Sequence, residues 1–323
     1  MSVIIPVHPA KREARSAAAS RLLDYPKEKL EIIVVRSTDL ATFPSMKRNA
    51  AIRAAKSDLI YFLDDDSVPL PGNLRRAVAH FADPTVQMVG GPNVCPTDAP
   101  TIEQTFANVM GSWLAFGPSC ARYRSVGKLR ESSEKELISC NLVSRRDVLL
   151  ESGGFDESLY PNEENALMDA VLKRGKLLYD PEMIVHRRPR SNFKSFAKML
   201  FSYGGGRAQQ TRLHPTPGAV INFIPPAFLL YLLFVLIVVP LRVLPPLISW
   251  LALVPLALYL AAVLVQTAAV MMRTNFMSGL RALPLLALTN ILYGAGVIRG
   301  MFTRIAHVKP GGATDIRLET VSV

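Results

Sequence analysis

Leu59-Ile60-Tyr61-Phe62-Leu63-Asp64-Asp65-Asp66 sets the frame for the rest of the chain. Five consecutive apolar residues bounded by a polar break predict a strand buried on both faces, as in a parallel sheet covered by helices. Three adjacent carboxylates at its end repel one another, which a fold tolerates only where a cation or the hydroxyls of a ligand compensate. Side chains at i and i+2 of a strand share a face, so Asp64 and Asp66 point the same way. A divalent ion held there, Mg2+ or Mn2+, would act as a Lewis acid on a departing pyrophosphate. The plain alternative is an acidic turn before the helix expected from Gly72.

Upstream, Val3-Ile4-Ile5-Pro6-Val7 and Ile32-Ile33-Val34-Val35 predict two more buried strands around an Ala-rich helix over residues 11–23, which makes a βαβ unit. Residues 46–55, MKRNAAIRAA, have helical spacing. Downstream the pattern predicts a helix over 72–81, a strand over 86–90, mostly helix and loop over 91–136, and a strand over 138–145. A turn at Gly153-Gly154-Phe155-Asp156 and a helix over 164–174 follow, and residues 176–179 and 183–186 close the domain. This alternation argues for an α/β, Rossmann-like domain with a parallel sheet, helices on both faces and ligands at the carboxyl ends of the strands.

The second half of the chain is written differently. Between Glu182 and Asp315 there is no carboxylate side chain, and the apolar segments 219–239, 244–272 and 280–298 fall inside that stretch. A helix needs about 20 mostly apolar residues to cross a bilayer. The first two segments qualify; the third, with Pro284, Thr289 and Asn290, reads as a span, a re-entrant piece or an interfacial helix. The net charge of +11 points to a membrane surface rather than nucleic acid, because seven basic residues, Arg187, Arg188, Arg190, Lys194, Lys198, Arg207 and Arg212, form a collar just before the apolar half. Residues 192–212, with Phe193, Phe196, Met199, Leu200, Phe201 and Tyr203 among those charges, predict a helix lying in the membrane interface. The expected organisation is a catalytic α/β domain over 1–190, a basic interfacial helix and linker over 191–216, about three membrane helices over 217–304, and a tail over 305–323. Cys95, Cys120 and Cys140 show no metal-ligand spacing and read as reduced thiols. With a strand starting at Val3 and no secretory leader before it, the first domain is expected in the cytosol.

Five motifs in order, Ser2-Val3-Ile4-Ile5-Pro6-Val7, Lys47-Arg48-Asn49, Phe62-Leu63-Asp64-Asp65-Asp66-Ser67-Val68-Pro69, Gly153-Gly154-Phe155-Asp156 with Glu163-Glu164, and Tyr203 to Arg207, resemble the family 2 glycosyltransferases of the GT-A fold. Within that family the set is similar to membrane-attached exopolysaccharide transferases of the succinoglycan type. The resemblance implies that Pro6 and Val7 line the nucleotide base, that Arg48 reaches the nucleotide or its phosphates, and that Asp64, Asp65 and Asp66 serve the sugar nucleotide and the metal. It implies a catalytic base in the Glu163-Glu164 pair, with Glu164 where the family has aspartate, and an acceptor side at Ser139-Cys140-Asn141. In Tyr203-Gly204-Gly205-Gly206-Arg207 the glycines would admit a ligand to the backbone and Arg207 would pair with a diphosphate; a flexible linker is the alternative. Two departures stand out. Arg36 occupies a place where an acid that reads the base is expected, and the loop from His8 to Glu13 lacks the usual Asn-Glu.

The resemblance thus implies an inverting hexosyltransferase that moves a sugar from a nucleotide-diphosphate donor to a hydroxyl of a lipid-linked saccharide at the inner (plasma) membrane, as a multi-pass protein in cell-surface polysaccharide synthesis. A polyprenyl-phosphate sugar synthase and a catalytically inactive GT-A scaffold in a polysaccharide-export complex are the rival readings.

Overall fold

The structure, a computed structural model, describes residues 1–11, 14–242, 245–305 and 315–321. Residues 12 and 13 of the expected first helix and loop, residue 244 of the second apolar segment, and most of the expected tail lie outside the described residues. The chain divides into two compact units, one of Met1–Ala99, Pro118–Arg188 and Ala306–Val323, the other of Pro100–Gly117 and Pro189–Ile305.

In chain order the strands are β1 Ser2–Pro6, β2 Glu31–Arg36, β3 Leu59–Leu63, β4 Val68–Pro69, β5 Val86–Gly90, β6 Asn93–Val94, β7 Arg130–Glu131, β8 Asn141–Arg145, β9 Lys176–Tyr179, β10 Val185–His186 and β11 Arg317–Val321. The helices are α1 Arg15–Ser20, α2 Pro44–Ala54, α3 Asn73–His80, α4 Thr101–Met110, α5 Trp113–Phe116, α6 Arg146–Glu151, α7 Glu163–Leu172, α8 Phe193–Leu213, α9 Ile224–Val238, α10 Pro246–Arg273 and α11 Phe276–Phe302.

All strands lie in the first unit. Eight form one sheet in the order β11-β2-β1-β3-β8-β5-β9-β7, and β4, β10 and β6 form a small second sheet. β1 runs parallel to β2 and β3, as the buried apolar runs predict. The expectation of a parallel sheet is corrected at β8, which enters antiparallel between β3 and β5, and at β7, which is antiparallel to β9. The long connection from β5 to β8 brings the chain back in at the end of the sheet where β5 leaves it, Gly90 lying opposite Leu142, and strand composition does not encode that direction. The tail reading is corrected as well, since β11 pairs antiparallel with β2 from Arg317↔Arg36 to Val321↔Ile32 and closes that edge.

Two apolar layers cover the sheet. Ile5, Val34, Tyr61 and Leu63 face one with Leu74 and Phe81, and Ile4, Ile33, Ile60 and Phe62 face the other with Ile52, Phe155 and Met168. Burial of both faces explains why these strands read as continuous apolar runs.

The second unit is helical. Gly218–Val238, Pro246–Arg273 and Phe276–Phe302 are each long and apolar enough to cross a membrane. The third apolar segment is one continuous helix despite Pro284. Pro255 lies inside α10, and the Tyr231 hydroxyl of α9 repairs the break, accepting from the Leu256 N–H at 3.0 Å and donating to the Ala252 carbonyl at 2.7 Å. Asn192 caps α8 through the Ser195 N–H. The Gly204-Gly205-Gly206 run falls inside this helix, which corrects both sequence readings of it: it is neither a ligand loop nor a flexible linker. A Cβ on Gly204 would sit 2.2 Å from the Tyr293 carbonyl oxygen, one on Gly296 2.1 Å from that of Phe201, and one on Gly300 2.5 Å from that of Gly205. The glycines let α8 and α11 touch backbone to backbone.

Candidate active site

The carboxyl end of β3 delivers Asp64, Asp65 and Asp66 into a set of cations. Asp64 Oδ1 accepts from Arg48 Nη2 at 2.8 Å, and Asp64 Oδ2 pairs with Arg187 Nη1 at 2.9 Å. Arg187 Nε also donates to Asp66 Oδ1 at 2.7 Å, so the two residues expected to share a strand face converge on one guanidinium. Asp65 turns elsewhere. It accepts from the His8 N–H at 3.0 Å and from Lys11 Nζ at 2.6 Å, tying the loop after β1 to the end of β3.

Arg48 is buried on α2 and carries the network across to α7, where Nη1 donates to Glu163 Oε1 at 3.2 Å. Its guanidinium carbon lies 5.3 Å from the centre of the Phe155 ring. The next residue, Asn49, clamps the glycine turn: its amide donates to the Phe155 carbonyl and to Glu157, and its oxygen accepts from the Phe155 N–H. Gly153 and Gly154 have positive φ, which glycine adopts without strain. Thus the Lys47-Arg48-Asn49 and Gly153-Gly154-Phe155-Asp156 motifs are two halves of one contact that sets α7 in place.

Burial works against the charge on Arg48, but Asp64, Glu163 and Glu164 outweigh it and hold the cation above its ordinary value. The two acids on this arginine move in opposite directions. Burial and the neighbouring Glu164 raise the Glu163 carboxyl well above the usual carboxylate range, with Arg48 opposing. Burial also opposes ionisation of Asp64, yet Arg187 and then Arg48 overcome it and hold that carboxyl below its ordinary value. A single arginine cannot satisfy both, and Asp64 has the second cation.

Glu164 points to a different set of partners. Its Oε2 accepts a short hydrogen bond from the Ser139 hydroxyl, and its Oε1 lies 3.7 Å from Arg122 Nη1. It is partly accessible, whereas Glu163 is only 4 % exposed. Arg122 is anchored by the Glu134 and Lys135 carbonyls and by Asn165 Oδ1 of α7.

Residues 59–266 match the family described as Glycosyl transferase family group 2, well over half of the chain. The chain belongs to that family. Among curated relatives it is similar to the pre-mycofactocin glycosyltransferases of two Mycobacterium tuberculosis strains, CDC 1551 / Oshkosh and H37Rv, each 28 % identical over 173 residues. That stretch is 53 % of this chain but only 36 % of the relative, so the chain matches about a third of those proteins' length. Among solved structures it resembles a mannosyltransferase from Pyrobaculum calidifontis in complex with GDP-Man and Mn2+, at a TM-score of 0.55 and 16 % identity over 93 % of this chain and 86 % of that one. The likeness is one of fold, the GT-A fold that the motifs imply.

Several sequence readings of individual residues change with the geometry. Pro6 and Val7 are buried, and the Val7 carbonyl accepts from Lys47 Nζ at 2.7 Å, so no side chain of this pair lies open at the surface. Asn141, expected on the acceptor side, is fully buried: its oxygen accepts from the Tyr61 hydroxyl, and its amide donates to the Met183 and Pro92 carbonyls. Ser139, two residues earlier, is the one in contact with Glu164. Arg207 sits within α8 in the helical unit and donates to Gln210.

Three contributors were not anticipated. Arg187 was counted with the basic collar but holds Asp64 and Asp66; its position directly after β10 was the available signal. Arg122 carried no signal, lying in a stretch read as helix and loop. Asp315 accepts from the Thr38 and Asp39 N–H groups and from the hydroxyls of Ser37, Thr38 and Thr42. This carboxylate, held below its ordinary value chiefly by the Ser37 hydroxyl, fills the turn after β2 where the expected acid is replaced by Arg36. Arg36 itself pairs with Glu319 of β11 at 3.0 Å. No acid need stand in β2 when β11 brings one alongside.

Among the described residues no three His, Cys, Asp or Glu side chains converge as a ready-made metal site. Asp64 and Asp66 nevertheless fit a divalent ion of the magnesium type, which takes one or two carboxylates and fills its remaining positions with water and phosphate oxygens. The two carboxylates already converge on one cationic group, Arg187.

Proposed function

We propose that the chain is an inverting glycosyltransferase that uses a nucleotide-diphosphate sugar and transfers the sugar to a hydroxyl of a lipid-linked saccharide at the cytosolic face of a plasma membrane, in cell-surface polysaccharide synthesis. The observation that carries the reading is the charge relay Asp66–Arg187–Asp64–Arg48–Glu163, which runs from the end of β3 to the first turn of α7, beside Glu164.

The divisions of labour follow from accessibility. Glu163 is buried on Arg48 and positions it; Glu164, partly accessible and oriented by Ser139 and Arg122, takes the proton. In the reaction Glu164 accepts the proton of the acceptor hydroxyl, the acceptor oxygen bonds to the anomeric carbon, and the bond from that carbon to the diphosphate breaks, its electron pair leaving with phosphate. Attack from the face opposite the leaving group inverts the configuration. Arg48, Arg187 and Lys11 supply positive charge where the diphosphate develops negative charge. When bound by Asp64 and Asp66, Mg2+ or Mn2+ would supply Lewis-acid stabilisation of that leaving group. Asp315 orders the turn after β2, which the family resemblance assigns to the base, and β11 is therefore part of the donor side.

The three apolar helices and the basic, amphipathic α8 support membrane attachment, and a tethered site favours an acceptor that is itself lipid-borne. The test is a screen of nucleotide sugars for transfer and hydrolysis by the full chain in detergent or nanodiscs, with Mn2+ and with chelator. Metal-dependent turnover with at least one donor is expected; no turnover with any donor removes the reading. Glu164→Gln separates a hydroxyl acceptor from a phosphate acceptor, because a phosphate is already ionised and near-normal turnover would place the enzyme with polyprenyl-phosphate sugar synthases.

A further inference from the structure

We propose that only α9 and α10 cross the bilayer, and that α11, although long and apolar enough to do so, lies in the interface on the side of the sheet unit, against anionic lipid headgroups. This rests on the membrane reading above and sharpens it.

The first argument is one of parity. β11 is hydrogen-bonded to β2 over five consecutive pairs, so the chain before α8 and the chain after α11 end in the same sheet. A folded sheet lies wholly on one side of a membrane, and the number of crossings between Arg188 and Arg317 is therefore even. Among the described residues three helices qualify as spans, so at least one of them does not cross. Residues 306–314, AHVKPGGAT, cannot restore the count: they are far short of the roughly 20 residues of a crossing helix, and a non-helical crossing would leave backbone groups unpaired in lipid.

The second argument identifies the helix. α9 and α10 present bare apolar surface, with Leu236, Leu247, Trp250 and Val265 all more than two-thirds exposed. Of the most apolar window of each span, 11 % is buried for Gly218–Val238, which contains α9, and 6 % for α10, against 39 % for α11. What buries α11 is protein, α8 above all, then α10, α9 and α4. Its carboxyl half runs along α8, where Arg212 Nη1 donates to the Gly300 and Thr303 carbonyls and Arg299 stands over the Phe201 ring. α8 carries Lys194, Lys198, Arg207 and Arg212 in 21 residues, a composition that belongs at a water interface and not in hydrocarbon. α11 also packs against α4, a ten-residue helix bearing Glu103, Gln104 and Asn108, and Asn290 donates to the Leu114 carbonyl of α5. Residues on either side of α4 and α5 belong to the sheet unit, and the segment is too short to go out and return across a bilayer. Although α9 and α10 also pack on it, a helix held along its carboxyl half by α8 and touching α4 and α5 stays on their side.

The free face of α11 suits that placement. Phe276, Met277, Leu280 and Phe302 are exposed, as are Arg281 and Arg299, which are 18 residues apart and so, at 3.6 residues per turn, on one side of the helix. Exposed Lys194, Lys198 and Arg212 add to the same charge, and no carboxylate interrupts residues 183–314. The surface fits anionic headgroups.

The experiment uses the full chain in sealed, inverted membrane vesicles with a membrane-impermeant maleimide. Single cysteines are introduced as Leu241→Cys between α9 and α10, Thr274→Cys between α10 and α11, and Thr303→Cys after α11, with the unaltered chain as background. The expected result is labelling of Thr274→Cys and Thr303→Cys in intact vesicles and of Leu241→Cys only after detergent. Protection of Thr303→Cys in intact vesicles would overturn the proposal by showing that α11 crosses. Labelling at all three positions without detergent would overturn the crossing of α9 and α10, and with it the membrane reading. An Arg36→Cys/Arg317→Cys pair, opposite each other in the β2–β11 register, is expected to form a disulfide in the same vesicles, and its failure to form would remove the parity argument.

Discussion

At the end of β3 the side chains carry the purpose and the backbone only delivers them; along the seam of α8 and α11 the side chains are missing and the backbones themselves meet. In the first region five acids are held by Lys11, Arg48, Arg122 and Arg187, so a substitution changes charge within a frame that other residues fix. In the second, Gly204, Gly296 and Gly300 leave no room for a single added carbon. Chemistry is therefore exposed to mutation in one unit and packing in the other, and the two should fail differently.

The largest effect is expected from Glu164→Gln, which removes the proposed base without removing volume. Transfer should fall by about 10²- to 10⁴-fold while donor binding and thermal unfolding stay near those of the unaltered chain. A matching loss of donor binding would show that the side chain holds the site together instead. Arg48→Met should act on both activity and stability, since it strands Glu163 and Asp64; removing one partner of a buried ion pair costs about 3–5 kcal/mol, read by chemical denaturation. Smaller again is Gly296→Leu, where the new side chain meets the Phe201 carbonyl. Overpacking of about 1–3 kcal/mol is expected in the helical unit, seen as a lower unfolding temperature in detergent. Gly205→Ala, whose added carbon finds nothing nearer than 3.6 Å, is expected to have almost none of that effect.

The acids on Arg48 also predict how stability follows pH. Glu163 has a raised pKa in the fold, so its contribution is complete below the unfolded carboxyl value, which lies near 4.5, and is lost as pH rises through the folded value. Asp64 has a lowered pKa, so its contribution is present above the unfolded value and lost as pH falls through the folded one. Glu163→Gln should flatten the stability profile between about pH 4.5 and about pH 7, and Asp64→Asn should flatten it on the acid side. The smallest change is expected from Asp315→Asn: a modest rise in donor KM with little change in kcat, because this partly exposed carboxylate orders a turn and touches no reacting atom.

The sequence made the acidic strand end, the βαβ start and the apolar helices legible because each is a local pattern: a run of five apolar residues, a period, a length. Arg187 was hidden because composition alone cannot tell a basic residue beside a membrane from one folded back on Asp66. The direction of β8 was hidden because the connection over 91–136 brings the chain back to the end of the sheet at which β5 leaves it, and strand composition does not record direction. The glycine run misled for a physical reason: glycine marks close approach of something to the backbone, and here that something is another helix. Asp315 lay 276 residues from the Asp39 N–H that it accepts, with no pattern to join the two.

The β2–β11 pairing sets a timetable for synthesis. β2 is complete at Arg36, yet the strand that covers its outer edge begins at Arg317, after all the apolar helices. With chain growth at about 5–20 residues per second, that edge stays open for roughly 15 to 55 s, a template for any passing strand. The nascent chain finishes its sheet only once its apolar helices have been made, so a chain that stalls before β11 carries an unfinished turn after β2.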